Sequence, residues 1–356
     1  KDILSNISFN FDIKKDLYSI KKSKIQYKGI NFLSKNIKII PAKVSTQKIS
    51  ITGDISHKTV KINSEHLSIF LKESSENLKN IELSSNNNFS ILLKKNKIKS
   101  YKVDSVIKLN SVTYKTDQSI LKEYIPNFKE SVDFKDHKVK LSIQKNIFSV
   151  QGEGNYSIGE QSEQINYEIK KEQEFINFKT KININEALID MKFLNYQKKA
   201  NEASTLIVDG AIKEKNFLVR KILFNESKNN FLINNLNLTK KFKINYIDLV
   251  DLNFVNNNKQ KNQILLKREK KNYLITGETF DADKLLEEIL TGEDKGGISR
   301  FFNNLNSNIK ISLNKVFIGE SDFLRPLKSE IRFKKNNLVN LDLLGNFVDN
   351  KKLKLT

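Results

Sequence analysis

The residue types best suited to chemistry in this 356-residue chain do not converge on a site. Three histidines occur, at His57, His66 and His137. A metal centre needs three or four convergent ligands, and no two of these histidines lie four apart as on a ligating helix. All three read as surface residues. Cysteine is absent, which removes thiolate nucleophiles, thiolate ligands and disulfides. Asp281 and Asp283 flank Ala282 just ahead of a short apolar-faced stretch. Carboxylates there accept amide hydrogens and suit the helix dipole, so the pair reads as helix caps. A two-carboxylate glycosidase would also need a cleft with aromatic walls, and tryptophan is absent. Gly152-Glu-Gly154 lacks a glycine three residues on, and Gly296-Gly297 reads as a break between two helical pieces; neither makes a phosphate loop. The expectation is a protein that is not an enzyme, with no catalytic residue, metal or cofactor.

The elements around these residues are strands. Val139, Leu141 and Ile143 alternate with Lys and Ser; Ile165, Tyr167 and Ile169 do the same, followed by Ile176, Phe178, Thr180, Ile182 and Ile184. The pattern continues through Phe217 and Val219, then Phe242, Ile244 and Tyr246, then Ile309, Ile311 and Leu313, then Ile331 with Phe333 and Leu341 with Leu343. Successive strand side chains point to opposite faces, so each run sets an apolar face against a polar one. Further upstream, Ile7, Phe9, Phe11 and Ile13 alternate cleanly. Ile37 and Ile39 suggest a partner strand at Ile49 and Ile51, with Pro41 in the connection. Two helical pieces are expected, Ser119–Phe128 and Glu186–Leu194, and a third short helix near 281–305. The fold class is therefore all-β with a few short helices: a long, twisted, mostly antiparallel sheet curled into an elongated groove. A division into 1–135 and 136–356 is expected, with one continuous unit as the alternative.

Glycine punctuates the strands in a common form, apolar-x-apolar-x-Gly, at Gly53, Gly152, Gly210, Gly277 and Gly345. The last four recur at intervals of about 58 to 68 residues, which a repeat of four or five strands would produce. Such glycines are expected at strand ends, at a bend or bulge.

Composition limits the partners. Hydrophobic residues make up 38% of the chain, enough for a sizeable buried surface, and 29% are charged, as strands with one wetted face require. The net charge is +21, a field that favours anionic partners. Only five basic residues are arginine, at Arg220, Arg268, Arg300, Arg325 and Arg332, and lysine is spread along the whole chain. Nucleic-acid binders concentrate Arg and aromatic residues on one patch, so no nucleic acid is expected. No run of about 18 apolar residues is present. Residue 1 is Lys, and the chain reads as a segment of a longer protein.

From Tyr273 to Phe347 the chain carries a composite pattern: a strand ending Leu274-Ile-Thr-Gly277, a Thr279-Phe-Asp-Ala-Asp283 corner, and an apolar-faced helix Lys284–Leu290. Strands follow at Ile309-Lys-Ile-Ser-Leu313 and Leu341-Asp-Leu-Leu-Gly-Asn-Phe347. This resembles the strand-to-helix step of the AsmA-like family, specifically the YhdP/TamB-type bacterial envelope proteins. The motifs cover about the last third of the chain, and the absence of Trp and the heavy Lys content depart from the family's usual composition. The resemblance implies a periplasmic protein anchored in the inner membrane by a segment outside this chain. Its β-groove would carry phospholipid between the inner and outer membranes by shielding acyl chains, with membrane proteins at either end. Under that reading the groove lining is Phe178, Ile182, Ile184, Phe217, Val219, Ile244, Tyr246, Ile311, Leu313, Ile331 and Phe333. The alternative is a structural or adhesive β-repeat protein whose apolar face is a closed core, and a basic scaffold for nucleic acid or acidic glycan is a third reading. Periodicity alone does not separate groove from core.

Overall fold

The computed structural model describes residues 4–41, 47–63, 76–95, 97–116, 119–214, 216–285, 301–319, 322–347 and 351–355. The chain is 76% strand and 4% helix, mostly antiparallel and not closed into a barrel, as the alternating pattern predicts. It forms two compact units, residues 1–117 with 129–176, and residues 118–128 with 177–356. The expected boundary at 135/136 instead falls inside a strand, on a β-bulge where Asp136 adopts a positive φ of 54°.

The first unit is an antiparallel meander. Its strands are β1 (Leu4–Lys14), β2 (Leu17–Tyr27), β3 (Ile30–Ile40), β4 (Lys48–Ile62), β5 (Leu78–Lys94), β6 (Lys97–Lys115), β7 (Ser131–Gln144), β8 (Ile147–Ser157) and β9 (Glu163–Glu172). Each pairs with the next. The expected pairing of the Ile37–Ile39 strand with the Ile49–Ile51 strand is met, Ile39 standing opposite Ile51 and Ile37 opposite Gly53, with Pro41 in the connection.

In the second unit, β10 (Phe175–Asn183) is followed by a short hairpin, β11 (Ile189–Met191) and β12 (Tyr196–Lys198), with a 3-10 turn at Lys192–Leu194 between them. A second meander then runs through β13 (Ser204–Lys213), β14 (Asn216–Glu226), β15 (Asn229–Leu238), β16 (Ile244–Val255), β17 (Lys261–Glu269) and β18 (Asn272–Asp281). β19 (Ser307–Phe317) returns parallel to β18, and β20 (Phe323–Lys334), β21 (Asn337–Phe347) and β22 (Lys352–Leu355) complete the ladder antiparallel. A parallel return needs a crossover of a dozen or more residues, and residues 282–306 supply it. This is the only parallel strand pair among the paired strands described. Residues 283–285 are helical and 286–300 lie outside the described residues, as does Gly296-Gly297.

Two helix expectations change. α1 spans Ser119–Tyr124 and stops short of Phe128, because the residue before Pro126 is pushed out of the helical region. Glu186–Leu194 is not a helix but β11 and the 3-10 turn. A helix would bond the carbonyls of Asn185 and Ala187 to amides four residues on. Here both accept instead from the Lys198 ammonium, at 2.6 and 2.7 Å. Asn127 ties the end of the α1 segment to this hairpin, donating to Glu186 O at 3.1 Å and accepting from Leu188 N at 3.0 Å.

The recurrent glycines lie inside strands rather than at their ends, with Gly210 and Gly277 at β-bulges as expected. A Cβ at Gly152 would stand 2.3 Å from the Tyr167 ring. One at Gly154 would meet His137 at the same distance. Glycine is present there because a neighbouring ring crosses the strand.

Candidate functional site

Cross-strand register converts single-strand alternation into rows. In the second unit one row runs Val208–Ile222–Ile233–Val250–Leu266–Ile275–Ile311–Ser329–Leu343–Leu355, each residue directly opposite the next, without interruption across ten strands. Nine of the ten are aliphatic. Two residues along each strand lies a parallel row, Leu206–Phe224–Phe231–Leu252–Ile264–Gly277–Leu313–Leu327–Gly345–Leu353. Because residues two apart share a strand face, both rows lie on one side. The residues between them form a mixed row, including Asp251, Thr276, Ser312, Lys328 and Lys354, on the other side.

Burial falls across the apolar face. Phe224, Phe231, Leu252, Leu313 and Leu327 are buried, with Leu313 3% exposed. In the neighbouring row Val208, Ile222, Ile233, Val250, Leu266, Ile275, Ile311 and Leu343 are only half-buried and Leu355 is exposed. An open concavity of about 420 Å³ lies mainly on the other side of the sheet, lined by Leu274, Lys310, Ser312, Lys328, Glu330, Asp342, Leu344 and Lys354, with Ile311, Ser329, Leu343 and Leu355 of the apolar row at its floor.

The buried side is closed by the β11–β12 hairpin. The Tyr196 ring sits among Phe224, Phe231 and Phe254 with centroid separations of 4.8–6.5 Å. Its hydroxyl donates to Glu226, which also accepts from Asn229 at 2.7 Å. Burial, then the Glu226 carboxylate, push the Tyr196 hydroxyl far above its ordinary range. Burial alone would raise Glu226, but hydrogen bonds from Glu202, Tyr196 and Asn229 hold it below the usual value, while Glu202 is raised by its bond to Glu226. Lys198 is fully buried, and besides the two carbonyls above it donates to Lys199 O at 2.9 Å. Asp281, 2% exposed, caps the helical residues by accepting from Asp283 N at 3.1 Å and also accepts from Asn195 at 3.1 Å and Asn256 at 2.5 Å. The sequence expectation of a cap is met there, and the same carboxylate pins the hairpin to the sheet.

The expected lining residues divide accordingly. Ile311, Leu313, Ile331 and Phe333 pair within the β18–β21 rows, Ile331 opposite Ile309 and Leu341, Phe333 opposite Ser307 and Leu338. Phe217 pairs with Leu238, which pairs with Ile244; Val219 pairs with Leu236, and both of these are 8% exposed. Phe178 overlies Gly210, and Ile182 and Ile184 are half-buried on and just after β10. Tyr246 lies opposite Asn237 and under the Arg268 guanidinium at 4.2 Å, a polar setting. Sequence reading missed Val208, Ile222, Ile233, Val250, Leu266 and Ile275, because only inter-strand register aligns them.

The first unit carries its own apolar face, with rows Ile13–Tyr18–Ile39–Ile51–Ile91–Tyr101 and Phe11–Ile20–Ile37–Gly53–Phe89–Val103–Ile143–Phe148. Among its described apolar residues only Ile81, Tyr156 and Ile158 are buried. His137 corrects a sequence expectation: it is 1% exposed rather than on the surface. Its Nε2 donates to Asn155 O at 2.8 Å, and its Nδ1 accepts from the Tyr167 hydroxyl at 3.3 Å. His57 is half-buried edge-on to Phe32, and His66 lies outside the described residues. Among the described residues no group of His, Asp and Glu is arranged to hold a metal ion, and no helix is long and apolar enough to cross a membrane.

No family model, curated protein or solved structure matches this chain.

Proposed function

We propose that the chain is a segment of a periplasmic AsmA-like protein whose apolar β-face shields phospholipid acyl chains on their way between the inner and outer membranes. It would be anchored in the inner membrane by a segment outside this chain. The observation that carries the reading is the Val208–Leu355 row: nine aliphatic side chains in register over ten strands, eight of them half-buried and Leu355 exposed. A contiguous apolar row left partly open to solvent suits a ligand or partner, and acyl chains need apolar contact without specific polar groups. The buried row and the Tyr196 hairpin form one wall; the open row is where chains would lie.

The test is native mass spectrometry of gently purified protein, with uptake of a fluorescent fatty acid measured beside it. Bound phospholipid, displaced by the fatty acid, is the expected result. Finding neither would overturn the reading and favour a structural or adhesive β-repeat whose face is covered by protein.

A further inference from the structure

We infer that one hairpin rim of the first unit is a docking surface for a bilayer carrying anionic headgroups. The meander places the paired strand ends of β1–β2, β3–β4, β5–β6, β7–β8 and β9–β10 along the same rim. Lys95 N donates to Gln47 O at 3.2 Å and Gln173 N to Asn146 O at 3.4 Å, while the Tyr101 hydroxyl, on β6, donates to Lys145 O at 3.2 Å. These turns carry Lys14, Lys15, Lys48, Lys94, Lys95, Lys97, Lys99 and Lys145, all exposed. The carboxylates in these turns are Asp16, Glu172 and Glu174, and Glu172 is held by Lys170 at 2.6 Å. None of the eight lysines forms an ion pair among the described residues. The opposite rim is mixed, with Glu160 and Glu163 at the β8–β9 turn and Lys28, Lys115 and Lys129 at the β2–β3 and β6–β7 connections.

A like-charge row adds to the charge of this rim, and a like pair, Lys108 opposite Lys138, stands in mid-sheet as well. Lys48 stands directly opposite Lys94, and Lys94 directly opposite Lys97. Side chains so paired have Cβ atoms about 5 Å apart and repel, a cost with no structural return in the free protein. β6 pairs with β7 only from Lys102 onward, so the tip of the β5–β6 hairpin projects past its neighbour. Ile98 at that tip is 64% exposed, and Ile13 and Ile40 on the same rim are 67% and 50% exposed. Lysines flanking protruding aliphatic side chains match the two layers of a bilayer surface, headgroup charge and acyl boundary. Nucleic acid would use the charge but not Ile98.

This surface is separate from the acyl-binding face proposed above, and the two fail independently. Sedimentation of the whole chain with phosphatidylcholine vesicles, with and without phosphatidylglycerol, tests it. Binding is expected only to the anionic vesicles and is expected to weaken with salt. The triple variant Lys48→Gln, Lys94→Gln, Lys97→Gln should lose on the order of a hundredfold in affinity. Removing the same charge from the sheet surface, by Lys108→Gln, Lys138→Gln and Lys140→Gln, should change it little. Ile98→Ser should weaken binding while leaving its salt dependence intact. Equal loss from both triples, equal binding to neutral vesicles, or a rim-dependent preference for duplex DNA over vesicles would each overturn the inference.

Discussion

The Tyr196 hydroxyl donates to the Glu226 carboxylate across 30 residues of sequence, joining the β11–β12 hairpin to the edge of the apolar face. Both groups are buried, at 1% and 6% exposure. Tyr196→Phe keeps the ring against Phe224, Phe231 and Phe254 but leaves Glu226 with one donor fewer. It should cost about 1–3 kcal/mol, read as a lower urea midpoint with the slope unchanged. Tyr196→Ala removes the ring as well and should cost about 3–5 kcal/mol.

His137 makes the first unit sensitive to acid. Burial holds its imidazole below the ordinary value of 6.5, against smaller opposing effects of the Asn155 carbonyl and Asp136. The unfolded chain therefore binds the proton more readily than the folded one. Stability from this group is complete above about pH 6.5 and is lost as pH falls toward the folded value. Thermal melts from pH 7.5 to 5 should show a falling midpoint, and His137→Gln should flatten that slope.

The ring of the same histidine dictates a small residue at Gly154. A Cβ there would lie 2.3 Å from the ring and 2.8 Å from the His137 Cα. Backbone cannot move aside as a flexible side-chain end can, so Gly154→Ala should destabilise by about 1–3 kcal/mol. Pairing it with His137→Ala should recover part of the loss, since the ring contacts vanish. A double-mutant cycle in urea measures the coupling.

Strands were legible in the sequence because alternation is local: Ile37, Ile39, Ile49 and Ile51 announce two strands, and their pairing follows from a short connection. The groove lining was legible only in part, for the same reason in reverse. Ile311 and Leu313 alternate on β19, yet only pairing with Ile275 and Gly277 shows which rows they join. Leu265 and Leu266 are equally apolar and fall on opposite faces. The 186–194 stretch reads as helical because its apolar spacing suits a helix, and a buried lysine four residues beyond captures the carbonyls. Nothing local signals that competition.

Charge placed on the apolar face should separate its two rows. Leu313 is 3% exposed, so Leu313→Glu buries an unpaired carboxylate and should unfold the second unit, seen as loss of the cooperative melt. Val250 and Ile311 are half-buried, and a glutamate there can reach water. Val250→Glu and Ile311→Glu should therefore keep a cooperative melt while co-purified phospholipid falls several-fold. Retention of lipid in folded Ile311→Glu protein would remove that row from the acyl path.

Relieving the lysine row should stabilise the protein. Lys94 faces Lys48 on one side and Lys97 on the other, so Lys94→Gln removes two direct repulsions and is expected to add about 0.2–1 kcal/mol. Salt screens the same repulsion. The gain should therefore shrink between 20 mM and 500 mM sodium chloride, conditions in which the two melting midpoints should converge. A structural role for the Lys94 ammonium predicts the opposite sign at low salt.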